Sequence, residues 1–205
     1  MALLYQAAHF SMGLVALCIV GPAFAADCPS AQKPEQAFRV SVGDRSSSEV
    51  FRLNTGETRT VARFSGGGVA EQTFYQGLIR LENISDGKRT SYKPRTNLKA
   101  LFPLKVGQKH RVDFDVQTPN GQKKVLRAEY KVVGKDQLLI GPCRYEVLKV
   151  EYSNRFGEGP LNFINTDWYA PDIRLIVARE YRQGNDKTVI NKYDAISILE
   201  GAAPR

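Results

Sequence analysis

Few side chains in this 205-residue sequence are suited to acid–base or nucleophilic chemistry. The histidines are His9 and His110, and the cysteines are Cys18, Cys28 and Cys143. His9, Cys18 and both methionines fall in the first 25 residues, a segment whose pattern marks it for removal. The mature chain then has one imidazole, two thiols and no methionine. A Ser-His-Asp or Cys-His mechanism would have to use His110, which sits between the cations Lys109 and Arg111. No G-x-S-x-G elbow accompanies it. Asp113 and Asp115 lie at i and i+2, on the same face of a strand. At a rise of about 3.4 Å per residue their carboxylates stand ~6–8 Å apart, near the roughly 6.5–9.5 Å of an inverting glycosidase pair. Such a pair flanks its substrate from two sides, whereas these two sit side by side, opposite Val112, Phe114 and Val116. Solvent-facing alternation accounts for them. Two cysteines and one histidine, far apart in sequence, make a poor zinc set. No P-loop, dinucleotide fingerprint, H-E-x-x-H or EF-hand spacing occurs. The sequence therefore predicts no catalytic residue, no metal and no cofactor.

Residues 1–26 contain no Lys, Arg, Asp or Glu. Met12 to Val20 is one apolar run, followed by Gly21-Pro22 and then Ala23-Phe24-Ala25. This is the pattern of a secretory signal, with cleavage after Ala25; only the n-region, which lacks Lys and Arg, departs from it. The run falls short of the ~20 apolar residues that span a membrane, so no transmembrane segment is expected after its removal. Bacterial lipoprotein signals resemble L-x-(small)-C, and Leu17 stands where Gly, Ala or Ser would precede the modified cysteine, so Cys18 reads as part of the signal core. In an oxidising compartment Cys28 and Cys143 read as one disulfide.

The charge balance of 29 Lys+Arg against 21 Asp+Glu gives +8, none of it in the signal. That excess favours anionic partners: lipid headgroups, lipopolysaccharide or acidic glycans of an envelope, or else another envelope protein. Nucleic acid is not expected after export. The positive residues are scattered, as in Lys88-Arg89, Lys123-Lys124 and Arg52, Arg59, Arg63, which is how a solvated face reads. Asn83-Ile84-Ser85 matches a glycosylation sequon, relevant only in a eukaryotic secretory route.

The elements that would position these residues are strands. Arg111–Val116 and Leu126–Val132 alternate apolar with polar, the mark of a half-buried strand. Ile173, Leu175 and Val177 alternate with Arg174, Ile176 and Ala178, the two-sided apolar pattern of a more central strand. Asn120-Gly121 is a strong hairpin signal, Gly66-Gly67-Gly68 reads as a hairpin loop, and Gly134-Lys135-Asp136, Gly157-Glu158-Gly159, Ala170-Pro171-Asp172 and Gly184-Asn185-Asp186 mark further reversals. The pattern predicts strands near 37–43, 49–54, 57–65, 73–82, 89–93, 109–117, 123–133, 137–141, 144–153, 161–169, 173–182 and 187–199. One short helix is allowed near 94–102, between Pro94 and Pro103. The organisation is a signal peptide over 1–25, an extended arm over 26–36, one β domain over 37–200 and a disordered tail over 201–205. The fold class is all-β: a single antiparallel meander curved into a roll or incomplete barrel.

The most distinctive stretch, Asp167 to Glu180, holds the only Trp. Trp168-Tyr169, Ala170-Pro171 and the apolar strand beyond read as a hairpin with aromatics at its entry. Trp168, Tyr169 and Arg174 are the candidate binding residues, with a core-closing aromatic at a tight turn as the plainer reading. The run W-Y-x-P-x-(I/L)-x-x-x-V, with Phe102-Pro103-Leu104-Lys105-Val106-Gly107 upstream, resembles exported bacterial β-rich proteins of unknown function over roughly residues 100–199. In those proteins the Trp-Tyr hairpin lies near the C-terminal end of a curved antiparallel sheet. They commonly carry Gly where Arg174 stands, and the resemblance transfers no catalytic residue. The sequence thus points to an exported, periplasmic or extracellular, non-enzymatic binding or assembly module of the envelope. Two alternatives remain: a carrier of an apolar ligand in a barrel cavity, and a hydrolase of envelope glycan or ester using His110, Asp113 or Asp115.

Overall fold

The computed structural model describes residues 27–161, 163–183 and 187–201. The expected signal, the tail beyond Gly201 and the reversal at Gly184–Asp186 lie outside them. The thirteen strands are β1 (Phe38–Val42), β2 (Ser46–Arg52), β3 (Glu57–Phe64), β4 (Val69–Tyr75), β5 (Ile79–Ser85), β6 (Lys88–Pro94), β7 (Lys109–Gln117), β8 (Lys123–Ile140), β9 (Cys143–Phe156), β10 (Phe163–Ala170), β11 (Leu175–Gln183), β12 (Lys187–Lys192) and β13 (Ala195–Ile198). The helices among the described residues are 3-10 turns at Leu98–Leu101 and Pro171–Ile173. The first falls inside the expected 94–102 window.

All thirteen strands belong to one antiparallel sheet, ordered β12-β11-β10-β9-β8-β7-β6-β5-β4-β3-β2-β1-β13. It is the expected meander, and it stays open. The chain itself bridges the two edges: Tyr193 and Asp194 alone separate β12 from β13. The bridge is held by Tyr193 N–H donating to Val177 O at 3.1 Å and Asp194 N–H to Ser41 O at 2.9 Å. Gly141 N–H donates to Asp194 O, and Gly43 N–H to the Asp194 carboxylate at 2.8 Å.

Three strand expectations are overturned. The segment 187–199 is not one strand: it breaks at Tyr193-Asp194 into β12 and β13, which pair with opposite edges of the sheet. The other two have local backbone reasons. The segment 73–82 is not one strand. Gln76 and Gly77 both adopt positive φ, 51° and 69°, and turn the chain between β4 and β5. The apolar residues either side of that turn imitate uninterrupted alternation. Conversely, Gly134–Asp136 is not a reversal. The chain runs straight through as β8, and a register shift between Val132 and Gly134 leaves one residue bulged.

That bulge matters for packing, because an extra residue re-aims the side chains beyond it. One core cluster gathers Val112, Phe114, Val116, Leu126, Ala128, Tyr130, Leu148 and Val150. A second gathers Phe38, Val40, Val50, Ile140, Tyr145, Val147, Ile173 and Val177. Val147 and Leu148 are neighbours, both buried, one in each cluster. Adjacent strand residues point to opposite faces, so the β8–β9 ribbon buries one face in the first cluster and the other face in the second.

The expected disulfide Cys28–Cys143 is present, with a Cα–Cα distance of 5.7 Å across 115 residues of sequence. It ties the N-terminal arm to the start of β9. Arg52, 3% exposed, completes the attachment. Its guanidinium donates to the carbonyls of Ser30 at 2.8 Å and Lys33 at 2.5 Å, and lies 5.6 Å from the Phe38 ring centroid. Desolvation, then the nearby Arg174, lowers its pKa. The Tyr145 hydroxyl donates to Pro29 O at 3.1 Å. Three attachments make the arm part of the domain.

Candidate functional site

The sequence-derived candidates fall in separate places. Asp113 accepts both Arg111 nitrogens at 3.0 Å, and Asp115 accepts Arg95 Nε at 3.1 Å. Those hydrogen bonds hold both carboxyls below their ordinary range. Both point away from Val112, Phe114 and Val116, which are 0–2% exposed. His110 shares the parity of that buried face and has Gln108 Oε1 at 3.4 Å. The imidazole and the two carboxylates therefore lie on opposite faces of β7.

Trp168 and Tyr169 also face opposite ways. Tyr169 belongs to the first cluster, 2% exposed, and its hydroxyl donates to Gln76 O at 2.5 Å. Burial raises its pKa. Trp168 packs at the margin of the second cluster, with Lys149 Nζ 5.7 Å from its ring. Arg174 closes the turn after the 3-10 helix in the left-handed conformation, φ 51° and ψ 54°, one that Gly adopts freely and other residues rarely do. Its guanidinium donates to Leu53 O at 3.2 Å. The Gly77 turn docks against this corner so closely that a Cβ there would lie 1.6 Å from Arg174 O. The W-Y-x-P stretch is thus the point where the β4–β5 turn meets the β10–β11 corner.

The curvature of the sheet encloses a cavity with two lobes. A lobe of about 420 Å³ lies between β2–β4 and β11–β12; it is named the polar lobe for the Ser46, Ser48, Thr60 and Gln72 side chains of β2–β4, which share its wall with Leu175, Ile176 and Val177. An aromatic lobe of about 400 Å³ is lined by Tyr92, Phe114, Leu126, Tyr130, Tyr152 and Phe156. Volumes of this order are typical of small-molecule sites. Phe74, Arg80 and Arg179 line both lobes and mark where they adjoin. At the mouth of the polar lobe Phe64 is 51% exposed.

Alternation explains how these residues come to face inward. Ser46 and Ser48 on β2, Thr60, Ala62 and Phe64 on β3, and Ala70, Gln72 and Phe74 on β4 are successive second residues. On β5 a register shift between Thr73 and Phe74 places Arg80 directly opposite Phe74.

The two arginines differ in their partners. Arg179 stands opposite Asp167 across β10–β11 and forms a bidentate pair with it, Nε to Oδ1 at 2.6 Å and Nη2 to Oδ2 at 2.9 Å. Asn165 adds a donor to Oδ1 at 2.6 Å. Burial, the largest single influence, acts to lower the Arg179 pKa; the hydrogen bonds and the charge of Asp167, with Tyr152 and Tyr130, together outweigh it, so the pKa is raised. Arg80 lies 5.6 Å from the Phe74 centroid, and its Nε is buried without a hydrogen-bond partner. Among the described residues it has no ion-pair partner within 4.0 Å. In the aromatic lobe the Tyr130 and Tyr152 rings are 5.1 Å apart. Desolvation raises both their pKa values, that of Tyr130 strongly. The site can bind an apolar or amphipathic molecule and offer it a cation. It places no nucleophile beside a base.

Arg80, Asp167 and Arg179 were not singled out by spacing or motif. Asp167 and Arg179 lie within the Trp168 stretch, but only the β10–β11 register brings them opposite each other. Among the described residues, no group of three or more His, Cys, Asp or Glu could hold a metal ion, and no helix is long and apolar enough to cross a membrane.

No family model matches the chain, and no curated protein matches it. Among solved structures, the chain is similar to the hypothetical lipoprotein YmcC from Escherichia coli K12, at 12% identity and a TM-score of 0.45, covering 85% of this chain and 90% of that one. A likeness this distant says nothing about activity or partners.

Proposed function

We propose that this chain is an exported, envelope-associated β-domain protein that works by binding rather than catalysis, and that its binding site is the cavity inside the curled sheet. The observation that carries the reading is the two-lobed cavity itself, walled by aromatics and hydroxyls with Arg80 at the junction. Export is supported by the Met12–Val20 run with its Ala-x-Ala site and by the Cys28–Cys143 disulfide, a bond that persists in oxidising compartments. Absence of catalysis is supported by the engagement of Asp113 and Asp115 with arginines and by their separation from His110. The +8 charge favours an anionic molecule or an anionic envelope surface as partner. The resemblance of the W-Y-x-P stretch to exported β-rich proteins belongs to the same reading.

The test is to purify the mature protein from an envelope extract and measure its native mass before and after organic extraction. A bound molecule released by extraction and displaced by substitutions lining the cavity is expected. Turnover of glycan, ester or peptide substrates, abolished by a substitution at His110, Asp113 or Asp115, would overturn the proposal.

A further inference from the structure

The two lobes share an apolar background and differ in the groups set into it. In one, the hydroxyl and amide groups of Ser46, Ser48, Thr60 and Gln72 stand with aliphatic Leu175, Ile176 and Val177, and the exposed cations Arg45 and Lys192 also line it. In the other, the rings of Tyr92, Phe114 and Phe156 stand with Leu126, and its polar groups include Asn154 and the paired Asp167 and Arg179. Arg80 stands where the two meet. A guanidinium cannot shed its proton at any ordinary pH. One held against a ring with Nε out of contact with any acceptor carries a cost that an anion would relieve. Arg179 is the poorer anchor, because Asp167 already occupies its fork at 2.6 and 2.9 Å.

Resting on the interior-cavity reading, we propose that the ligand is a single-chain amphipathic anion. Its hydrocarbon chain lies in the aromatic lobe, its carboxylate or phosphate is held by Arg80, and any further polar headgroup lies among the hydroxyls of the polar lobe. The arrangement follows the general design of such sites, a mostly apolar enclosure with a few placed polar groups that fix orientation. A neutral chain would leave the Arg80 guanidinium unpaired and bind less well. A free inorganic anion would leave the aromatic lobe unused.

Four probes titrated into the mature, disulfide-bonded protein below their micelle concentrations separate the possibilities: dodecanoate, dodecyl phosphate, 1-dodecanoylglycerol and inorganic phosphate. Binding is read by calorimetry and native mass spectrometry. The expected result is that one or both dodecyl anions bind at least tenfold more tightly than the neutral glyceride, and that inorganic phosphate does not bind measurably. Preference between the two anions tells a carboxylate from a phosphate head. Arg80→Gln is expected to abolish the preference, so that on this variant the dodecyl anions bind no more tightly than the glyceride, and Arg80→Lys to keep part of it. Should Arg80→Gln fail to fold, the ranking on the parent protein together with Arg80→Lys still decides. If the glyceride binds as tightly as the anions, the headgroup inference fails while the cavity reading stands. Inorganic phosphate binding as tightly as the dodecyl anions also overturns the inference. If no dodecyl probe binds, the cavity reading fails with it.

Discussion

The inner faces of β2–β4 and of β7–β8 obey the same rule and reach opposite results. On β7 and β8 the inward residues are Val112, Phe114, Val116, Leu126 and Ala128, all 5% exposed or less. On β2 and β3 they include Ser48, Thr58, Thr60 and Arg52, also buried, at 7% or less. Period-two alternation sorts side chains onto two faces without saying whether the inner one is dry. On β7 and β8 the inner set packs into the first cluster, and Phe114 and Leu126 also wall the aromatic lobe. On β2 and β3 the shorter Ser48 and Thr60 wall the polar lobe with hydroxyls instead of rings.

The sharpest way to break this contrast is to truncate on the packed side. Phe114→Ala is expected to cost about 3–5 kcal/mol, as removal of a buried ring does, read by urea unfolding. A loss below ~1 kcal/mol would mean that the two faces are packed alike. Next is the staple that holds the arm. Replacing Cys28 and Cys143 together with serine removes a link spanning 115 residues and should cost about 2–5 kcal/mol. Hydrogen exchange should show β1 and β2 losing protection before β7 and β8. Simultaneous loss in all four strands would erase the distinction.

A third measurement uses alkaline pH. Burial pushes the Tyr145 phenol up to about 12 from an ordinary 10. Its folded pKa is the higher, so the stability it contributes is complete below pH 10 and is lost as pH rises from 10 through 12. The ionised phenol could no longer donate to Pro29 O. Tyr145→Phe should remove about 1–3 kcal/mol of the decline over that window. Tyr130, Tyr152 and Tyr169, also raised by burial, keep the remainder. An unchanged slope would remove Tyr145 from the account. The smallest effect is expected on the hydroxyl-bearing side. Thr60→Val should stay within about 1 kcal/mol of the parent by thermal or urea unfolding. A cost approaching that of Phe114→Ala would show the polar lobe to be a closely fitted core.

How legible all this was in the sequence can be read residue by residue. Lys109–Gln117 was visible with its ends, because Val112, Phe114 and Val116 alternate with charged and polar residues without interruption. The Asn120-Gly121 turn and the Cys28–Cys143 bond followed from local chemistry and from counting. The turn at Gln76-Gly77 was hidden, since one of its two positive-φ residues is not glycine and both flanks are apolar. Arg80, between Ile79 and Leu81, looks like any outward charge. Its inward aim depends on the bulge at Thr73/Phe74 and on strands β11 and β12, about a hundred residues downstream. Asp167 and Arg179 become partners only through the β10–β11 register. Such facts are set by pairing over long distances, and a single sequence carries them weakly.

The bridge at Tyr193 and Asp194 has a consequence for the order of assembly. Strand β13 reaches β1 with Phe38 opposite Ile198, 160 positions apart, while β12, two residues earlier, lies against β11. Closing so long a loop is opposed by chain entropy, on the order of several kcal/mol. That zipper can therefore fasten only after the intervening hairpins are laid down. A polypeptide emerging N-terminus first therefore leaves the β1 edge of its sheet unpaired until β13 arrives.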